Sequence, residues 1–103
     1  MEVRELRVYL ENLLEKDYKK LIVGKSTKNF NVIEEGKWKL EEKDGDYRAE
    51  SKEVIIRENK TEKFYMIKQR KTYRLFGDKI RFFDIYTPKE VIKINDSWEI
   101  VRD

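Results

Sequence analysis

The stretch that decides how this chain folds is Glu62–Tyr86, EKFYMIKQRKTYRLFGDKIRFFDIY, which is both its most aromatic and its most basic part. Apolar and polar side chains alternate along much of it, and alternation with a period of two predicts strands. Gly77-Asp78 lies between two such runs and is typical of a two-residue hairpin turn that begins with glycine. We therefore predict a central β-hairpin that turns at this pair, with the rest of the chain supporting it.

The two faces of this predicted hairpin differ in character. On one face Leu75 lies opposite Ile80, and we predict that this apolar face points inward. On the other face Arg74 lies directly opposite Arg81, and like charges in that position destabilise a sheet. Since folding alone does not explain that pair, we predict that its face has a function. The same register pairs Tyr73 with Phe82, Lys71 with Asp84, Thr72 with Phe83 and Arg70 with Ile85.

Positive charge is concentrated on the same segment. Residues 60–81 carry eight basic and two acidic side chains, a net charge of +6, whereas the whole chain carries +3. Such a local excess is the electrostatic footprint of a protein that binds nucleic acid. We predict that DNA or RNA binds here, with basic side chains on the phosphates and an aromatic ring stacked on a base. The predicted binding residues are Lys68, Arg70, Arg74, Arg81 and Phe83.

Three other interpretations of the sequence stay open. With 24 basic residues some clustering arises by chance, and carboxylates from a neighbouring strand would then neutralise Arg74 and Arg81. A second interpretation is an interaction or regulatory module, whose exposed strand edge is extended by a protein partner or by a second copy. The third is a metal-dependent nuclease, in which Asp44 and Asp46 join the carboxylate-x-lysine motif of residues 58–60. That motif recurs along this highly charged chain and is therefore unspecific.

Composition limits the chemistry further. The chain is 44% charged and 39% hydrophobic, but its charges nearly balance and 13% of its residues are aromatic, which favours a folded domain over disorder. A length of 103 residues suits one domain, predicted to span residues 1–103. Without cysteine or histidine the chain lacks the commonest metal ligands and the commonest general base, so we predict no cofactor and no metal. We favour a binding protein over an enzyme.

Composition also bears on origin and location. Lysine and glutamate are abundant while glutamine and alanine each occur once, a usage typical of a hyperthermophilic archaeon or its virus. The N-terminus has no apolar signal-peptide region, and no apolar run approaches the length of about 18 residues that spans a membrane. We therefore predict a cytoplasmic protein that does not associate with membranes.

Residues 2–20 are predicted to form a helix, because apolar side chains recur along them at spacings of three and four. Gly24 is its predicted stop. Asp17 interrupts the apolar stripe, so either the helix ends there or this carboxylate faces a pocket between helix and sheet. Without such a pocket, its aromatic lining would fill the core instead. The candidate lining residues are Trp38, Tyr47, Phe82 and Trp98.

Two further hairpins are predicted from turn residues and from complementary charges across the strands. Lys37–Ser51 is predicted to turn at Asp44-Gly45, a favoured type I′ pair, with Leu40 and Ala49 facing inward. The C-terminal segment is predicted to turn through a three-residue loop at residues 95–97. The predicted partners are Lys43–Asp46, Glu41–Arg48 and Lys39–Glu50 in the first hairpin, and Ile94–Trp98, Lys93–Glu99, Ile92–Ile100 and Glu90–Arg102 in the second.

These elements define the predicted fold class. The prediction is α+β, with one N-terminal helix packed on a curved antiparallel β-meander of about six to eight strands. Phe64–Phe76 would be an unusually long strand, so we predict a bulge, a bend or a loop at residues 68–71, which are all polar. Thr87-Pro88 is predicted to end the strand that precedes it, because proline cannot donate to a ladder.

Overall fold

The structure, a computed structural model, describes residues 8, 12, 15–76 and 82–101, with residues 82–85 described by their backbone. One helix, α1, runs through residues 15–21. It is followed by strands that alternate apolar and polar side chains along much of their length, the pattern of a sheet with two different faces. The strands within the described residues are β1 (Phe30–Glu35), β2 (Lys39–Asp44), β3 (Tyr47–Glu58), β4 (Phe64–Arg74), β5 (Phe82–Ile85), β6 (Lys89–Ile94) and β7 (Ser97–Ile100).

The described strands form one antiparallel sheet whose centre is the long pair β3–β4. On the outer side of β3, β2 pairs with its first half and β1 with its second half. On the outer side of β4, β6 pairs with its first half and β5 with its second half. β7 extends the sheet beyond β6, and the described strands β1 and β7 do not pair with each other, so the sheet is open. The prediction of an antiparallel sheet with a helix is confirmed.

The core lies on one face of the central pair. Ile56 is opposite Tyr65 and Val54 is opposite Ile67, and all four side chains are fully buried. Burial of apolar surface stabilises a fold by roughly 25 cal/mol for each Å² removed from water. The cluster also includes Phe30 of β1, Tyr18 and Leu21 of α1, and Ile22 directly after the helix. Burial raises the pKa of Tyr18 to about 12, because the charged phenolate would lose its hydration there.

The predicted stop of the helix at Gly24 is confirmed. The Gly24 N–H donates to the Leu21 carbonyl at 3.0 Å and the Lys25 N–H donates to the Lys20 carbonyl at 2.9 Å, the two bonds of a Schellman motif. Gly24 has a φ of +84°, which residues with a Cβ rarely adopt. A Cβ here would also meet the carboxylate of Glu35, but that flexible side chain can move away, so the positive φ is the constraint that requires glycine. Apart from residues 8 and 12, the predicted helix before residue 15 lies outside the described residues.

Asp17 anchors the loop that follows α1. The helix continues past it, so the prediction that the helix ends at Asp17 is wrong. Its Oδ2 accepts a hydrogen bond from the Thr27 hydroxyl at 2.8 Å, and that hydroxyl oxygen accepts one from the Phe30 N–H at 3.3 Å. A half-buried carboxylate is tolerated on the apolar stripe because this bond satisfies it.

Strand β4 runs through residues 68–71 without interruption, so the predicted bulge, bend or loop there is wrong. Its polar middle is matched across the ladder, since Lys68 lies opposite Glu53 and Lys71 lies opposite Glu50. The Lys71 Nζ is 3.3 Å from the Glu50 carboxylate, and such cross-strand charge pairs stabilise a sheet. An eleven-residue strand forms here because the twelve-residue β3 pairs with it along its whole length.

Strands β2 and β3 form the first predicted hairpin, but its predicted register is wrong. The turn lies at Gly45-Asp46, one residue later than predicted, with a positive φ of +58° at Gly45. That shift places two like charges, Lys43 and Arg48, opposite each other. The Arg48 guanidinium is engaged by the turn, where its Nη1 donates to the carbonyls of Gly45 and Tyr47 at 2.7 Å each. The pairs Lys43–Asp46, Glu41–Arg48 and Lys39–Glu50 are therefore not formed.

A β-bulge in β2 changes the face of the sheet on which its side chains lie. Leu40 lies opposite Glu50 and Glu42 lies opposite Ala49, which leaves Glu41 as the extra residue. Ala49 is fully buried, as predicted, whereas Leu40 is 55% exposed. The bulge puts Leu40 on the opposite face from Ala49, which is the face of Val54 and Ile56. The inward prediction for Leu40 is wrong because the apolar cluster on that face lies at the other end of β3.

The C-terminal hairpin also forms with a different register from the predicted one. Its loop has two residues, Asn95 and Asp96, with positive φ values of +48° and +69°. Positive φ at both positions is the requirement of a type I′ turn, which asparagine and aspartate tolerate. The shorter loop slips every partner by one. Ile92 and Ile94 are exposed. The observed pairs are Ile94–Ser97, Lys93–Trp98, Ile92–Glu99 and Val91–Ile100, while Arg102 lies outside the described residues.

Both outer edges of the central pair are interrupted in the same row of the sheet. Between β1 and β2, the Gly36 N–H donates to the Glu53 carbonyl at 2.9 Å. Between β5 and β6, the Tyr86 N–H donates to the Lys68 carbonyl at 3.1 Å, and Glu53 lies opposite Lys68. The predicted break at Thr87-Pro88 is confirmed, since β5 ends at residue 85. This row separates the half of the sheet with the apolar core from the half with the predicted binding residues.

Candidate nucleic-acid interface

The basic hairpin predicted to bind nucleic acid is formed by β4 and β5, with a register one residue from the predicted one. Arg70 lies opposite Asp84, whereas the prediction paired it with Ile85. Turn residues indicate where a chain reverses but not how many residues the loop holds, and one residue more or less changes every partner. The predicted pairs Tyr73–Phe82, Lys71–Asp84 and Thr72–Phe83 are wrong for this reason, and the predicted partners of Leu75 and Arg74, Ile80 and Arg81, lie outside the described residues. Leu75 itself is 48% exposed, so its inward prediction is wrong.

Two of the predicted binding residues converge on one carboxylate. The Arg70 Nε lies 3.0 Å from Glu41 Oε2, and the Lys68 Nζ lies 3.3 Å from Glu41 Oε1. A second carboxylate, that of Glu42, lies 3.5 Å from the Arg70 Nη2. These side chains remain accessible, with 22% of Arg70, 29% of Lys68 and 31% of Glu41 exposed. Carboxylates of β2 therefore neutralise basic side chains of β4. The residues that they neutralise are Lys68 and Arg70, whereas the prediction named Arg74 and Arg81.

The bulge in β2 explains why sequence reasoning missed Glu41. As the extra residue of the bulge, Glu41 is free of a ladder partner and reaches across β3 to the side chains of β4. The residue of β3 between them is the small Ser51, which lies opposite Arg70 and whose hydroxyl hydrogen-bonds to Glu41. No glycine marks the bulge, so the sequence carries no local signal for it.

The other predicted binding residues are placed less closely together. Arg74 lies at the end of β4 and is exposed, and it forms no ion pair with any other described residue. Phe83 pairs with Lys71, which lies on the opposite face of β4 from Arg70, so the predicted register position of Phe83 beside Arg70 is wrong. Arg81 lies outside the described residues. The structure thus brings together Lys68 and Arg70 and keeps Arg74 on the same strand.

The neighbours of Glu41 stabilise its charged form. Hydrogen bonds from Ser51, and then from Arg70, hold the pKa of Glu41 below its ordinary value of 4.5. The same bond raises the pKa of Arg70, which therefore stays charged. Both members of the pair are ionised at neutral pH.

We expect the stability contributed by Glu41 to disappear in acid. Because its pKa is lowered in the folded state, the contribution is complete above the ordinary value of 4.5 and is lost as the pH falls through the lowered pKa. The difference in Tm between the wild type and Glu41→Gln, measured by circular dichroism from about pH 7 to about pH 3, should shrink towards zero. Glu99→Gln on the exposed β7 is the control, with a small difference at every pH. A difference in Tm between the wild type and Glu41→Gln that stays constant over this pH range would contradict the expectation.

The opposite face of β4 is occupied by a separate set of contacts. The Lys71 Nζ lies 4.1 Å from the centre of the Trp38 ring, a cation–π contact. The same ammonium pairs with Glu50, which also accepts a hydrogen bond from the Tyr73 hydroxyl at 3.0 Å. The basic side chains of the hairpin are therefore divided between two faces, and Lys71 is committed to structure.

Glu58 is buried at the end of β3, away from the acidic residues predicted to join it in a metal site. It is 1% exposed, and its Oε1 accepts a hydrogen bond from the Thr61 hydroxyl at 2.6 Å. Asp44 and Asp46 lie at the other end of β3, roughly 35 Å away at about 3.3 Å per residue. Among the residues that the structure describes, no group of three or more acidic side chains is close enough together to hold a metal ion.

The outer edge of β2 is strongly charged. All six residues of Lys39–Asp44 are exposed, and five of them carry a charge. Charged side chains along an edge oppose the addition of another strand. This edge therefore gives little support to a protein partner or a second copy that extends the sheet.

Comparison of the chain with the models of known protein families, with curated proteins and with solved structures finds no match. The function has to be argued from the residues of this chain. Within the part of the chain that the structure describes, no helix has both the length and the hydropathy that crossing a membrane requires.

Proposed function

We propose that this protein binds DNA or RNA through the phosphate backbone, with the β4–β5 hairpin as the contact surface. The observation that carries the proposal is the arrangement along β4. Lys68, Arg70 and Arg74 lie two and four residues apart, so they project from one face of the strand. A row of cations on an accessible strand suits a polyanion, whose counterions are released on binding. Arg81 belongs to the proposed surface on the sequence pattern alone. Phe83 is also part of the sequence-based prediction, but its pairing with Lys71 on the opposite face gives it no support here.

In this proposal Glu41 competes with phosphate for the same two cations. Carboxylate and phosphate oxygens both accept charge-assisted hydrogen bonds from arginine and lysine. In the free protein, Glu41 holds Lys68 and Arg70 side by side at 3.3 Å and 3.0 Å. Nucleic acid would displace the carboxylate and take over both contacts. The ion pairs therefore position the cations, and they also weaken binding by occupying them.

The competition predicts a gain of affinity on removing one carboxylate. Glu41→Gln should tighten binding of a fluorescently labelled single strand or duplex by about threefold or more at roughly 50 mM salt, measured by fluorescence anisotropy. Glu99→Gln is the matched control, because it changes the net charge equally on an exposed strand away from β4. Its effect should stay below about twofold.

Equal tightening by the two variants would show that only net charge matters, and would overturn the assignment to Lys68 and Arg70. The complementary variant Arg74→Glu with Arg81→Glu should weaken binding by at least about tenfold and flatten its dependence on salt. Lys19→Glu with Lys28→Glu reverses the same number of charges at exposed positions away from the hairpin, and should weaken binding far less. Failure of the wild type to bind DNA or RNA at low salt would refute the proposed function.

A further inference from the structure

A groove of about 250 Å³ lies on the face of the sheet opposite the apolar core. Its floor is apolar and consists of Ile55, Met66 and Trp98. Ile55 and Met66 lie opposite each other in the central pair, next to the positions that carry the core on the other face. The volume falls below the range of about 300–1,000 Å³ that holds drug-sized molecules, so the groove suits a small ligand. It is not the predicted pocket between helix and sheet, and Asp17 does not line it.

The rim of this groove carries unpaired charges of both signs. Glu34, Glu53, Lys37 and Lys39 line it, and none of them forms an ion pair with another described residue. Charged side chains elsewhere in the sheet commonly pair, as Lys52 does with Glu35 at 2.6 Å. Four charges around one apolar floor without partners of their own are available to a ligand that carries complementary charges.

The strand register places charges of opposite sign close together along the groove. Glu34 lies in the row of Ile55, and Lys39 lies two rows further along, in the row of Ser51. Glu53 lies in the row between them, on the same face of β3. Neighbouring rows on one face are two residues of β3, or roughly 7 Å between backbones. The groove therefore offers carboxylates and ammonium groups at a spacing that a small zwitterion can bridge.

Trp98 adds a hydrogen-bond donor with no acceptor. Its ring packs on Phe64 with a centroid separation of 5.1 Å, which fixes its orientation in the floor. The indole Nε1 is buried, and it has no hydrogen-bond partner among the described residues. A buried donor left unpaired costs about 1–3 kcal/mol, and such groups in native proteins usually have a partner. Because this nitrogen has no accessible surface, it does not face the open groove, and Trp98 contributes its ring to the floor.

We propose that this groove binds a small zwitterion with an apolar body, of the class of an apolar amino acid or dipeptide. Its ammonium group would lie at Glu34 and Glu53, and its carboxylate at Lys37 and Lys39. Its apolar side chain would cover Ile55, Met66 and the ring of Trp98. The groove lacks the five residues proposed to bind nucleic acid, but it adjoins them on the same face, because Ser51 lies opposite Arg70 and Glu53 lies opposite Lys68.

The test uses the intact protein and chemically capped ligands. The chain has two tryptophans, so ¹⁵N-labelled protein shows two indole N–H signals, and Trp98→Phe identifies which one belongs to Trp98. Titration with leucyl-leucine should shift the Trp98 signal and not the Trp38 signal, with a Kd on the order of 0.1–1 mM. N-acetyl-leucyl-leucine lacks the ammonium and leucyl-leucine amide lacks the carboxylate, and each should bind at least about tenfold more weakly. Titration with leucine distinguishes an amino-acid site from a dipeptide site.

Two single variants test the carboxylates and the ammonium groups of the groove. Glu34→Gln should weaken the binding of leucyl-leucine and of leucyl-leucine amide alike, by about tenfold, and leave the ratio of their affinities unchanged. Lys39→Gln should remove the preference for leucyl-leucine over its amide. Lys43→Gln and Glu99→Gln are controls of the same charge change away from the groove and should leave binding unchanged. Equal binding of capped and uncapped dipeptides, or no shift of Trp98 at about 10 mM ligand, would overturn the proposal. Both results are independent of whether the protein binds DNA or RNA.

Discussion

Leu21→Ala is expected to lower the free energy of unfolding by about 3 kcal/mol, because it opens a cavity in the core. Leu21 is fully buried, and it belongs to the same cluster as Val54 and Ile56 of β3. The surrounding strands are held by their ladders and cannot collapse onto the removed side chain. Urea unfolding followed by circular dichroism would measure the change, and Tm should fall by about 4–8 °C for each kcal/mol.

Val23→Ala is the control for this prediction. Val23 lies two residues further along but is 56% exposed, so its truncation should change stability by no more than about 0.5 kcal/mol. The comparison separates loss of packing from any change in helix propensity at the end of α1. If Leu21→Ala costs as little as Val23→Ala, the end of the helix does not belong to the core.

Gly36→Ala is expected to cost about 2–3 kcal/mol for a steric reason alone. Gly36 does not have a positive φ, so alanine is compatible with its backbone. A Cβ here, however, would lie 2.6 Å from the carbonyl oxygen of Glu53, to which the Gly36 N–H already donates. That oxygen belongs to the central strand and cannot move away as a flexible side chain can. To make room for the Cβ, the segment between β1 and β2 would have to move away from β3.

Gly45→Ala provides the contrast. Gly45 has a φ of +58° but no atom within 4 Å of the position of a Cβ, so only backbone strain of about 1 kcal/mol is expected. Urea unfolding of both variants under the same conditions should therefore rank Gly36→Ala as the more destabilising. The reverse order would show that β1 and β2 can move away from Glu53 at little cost.

Features that depend on a residue's own backbone were predictable from the sequence. Gly24 and Pro88 end their elements as predicted. Glycine can adopt the positive φ that ends a helix, and proline has a fixed φ and no N–H to donate to a strand. The strands themselves followed from alternating side chains, and the hairpins followed from turn residues. The register of each hairpin did not follow. Partners across a ladder differ by only about 0.2–1 kcal/mol, so a bulge or a loop one residue shorter outweighs them.

The candidate interface shows the same division. The local excess of positive charge around Arg70 is a property of composition, and the sequence by itself determined that this segment is the most basic part of the chain. Only the tertiary structure decided that Glu41, 29 positions earlier in the chain, lies 3.0 Å from the Arg70 guanidinium. The bulge in β2 and the small Ser51 bring them together, and no local pattern encodes that contact. Charge adds along a sequence, whereas the pairing of charges depends on which strands become neighbours.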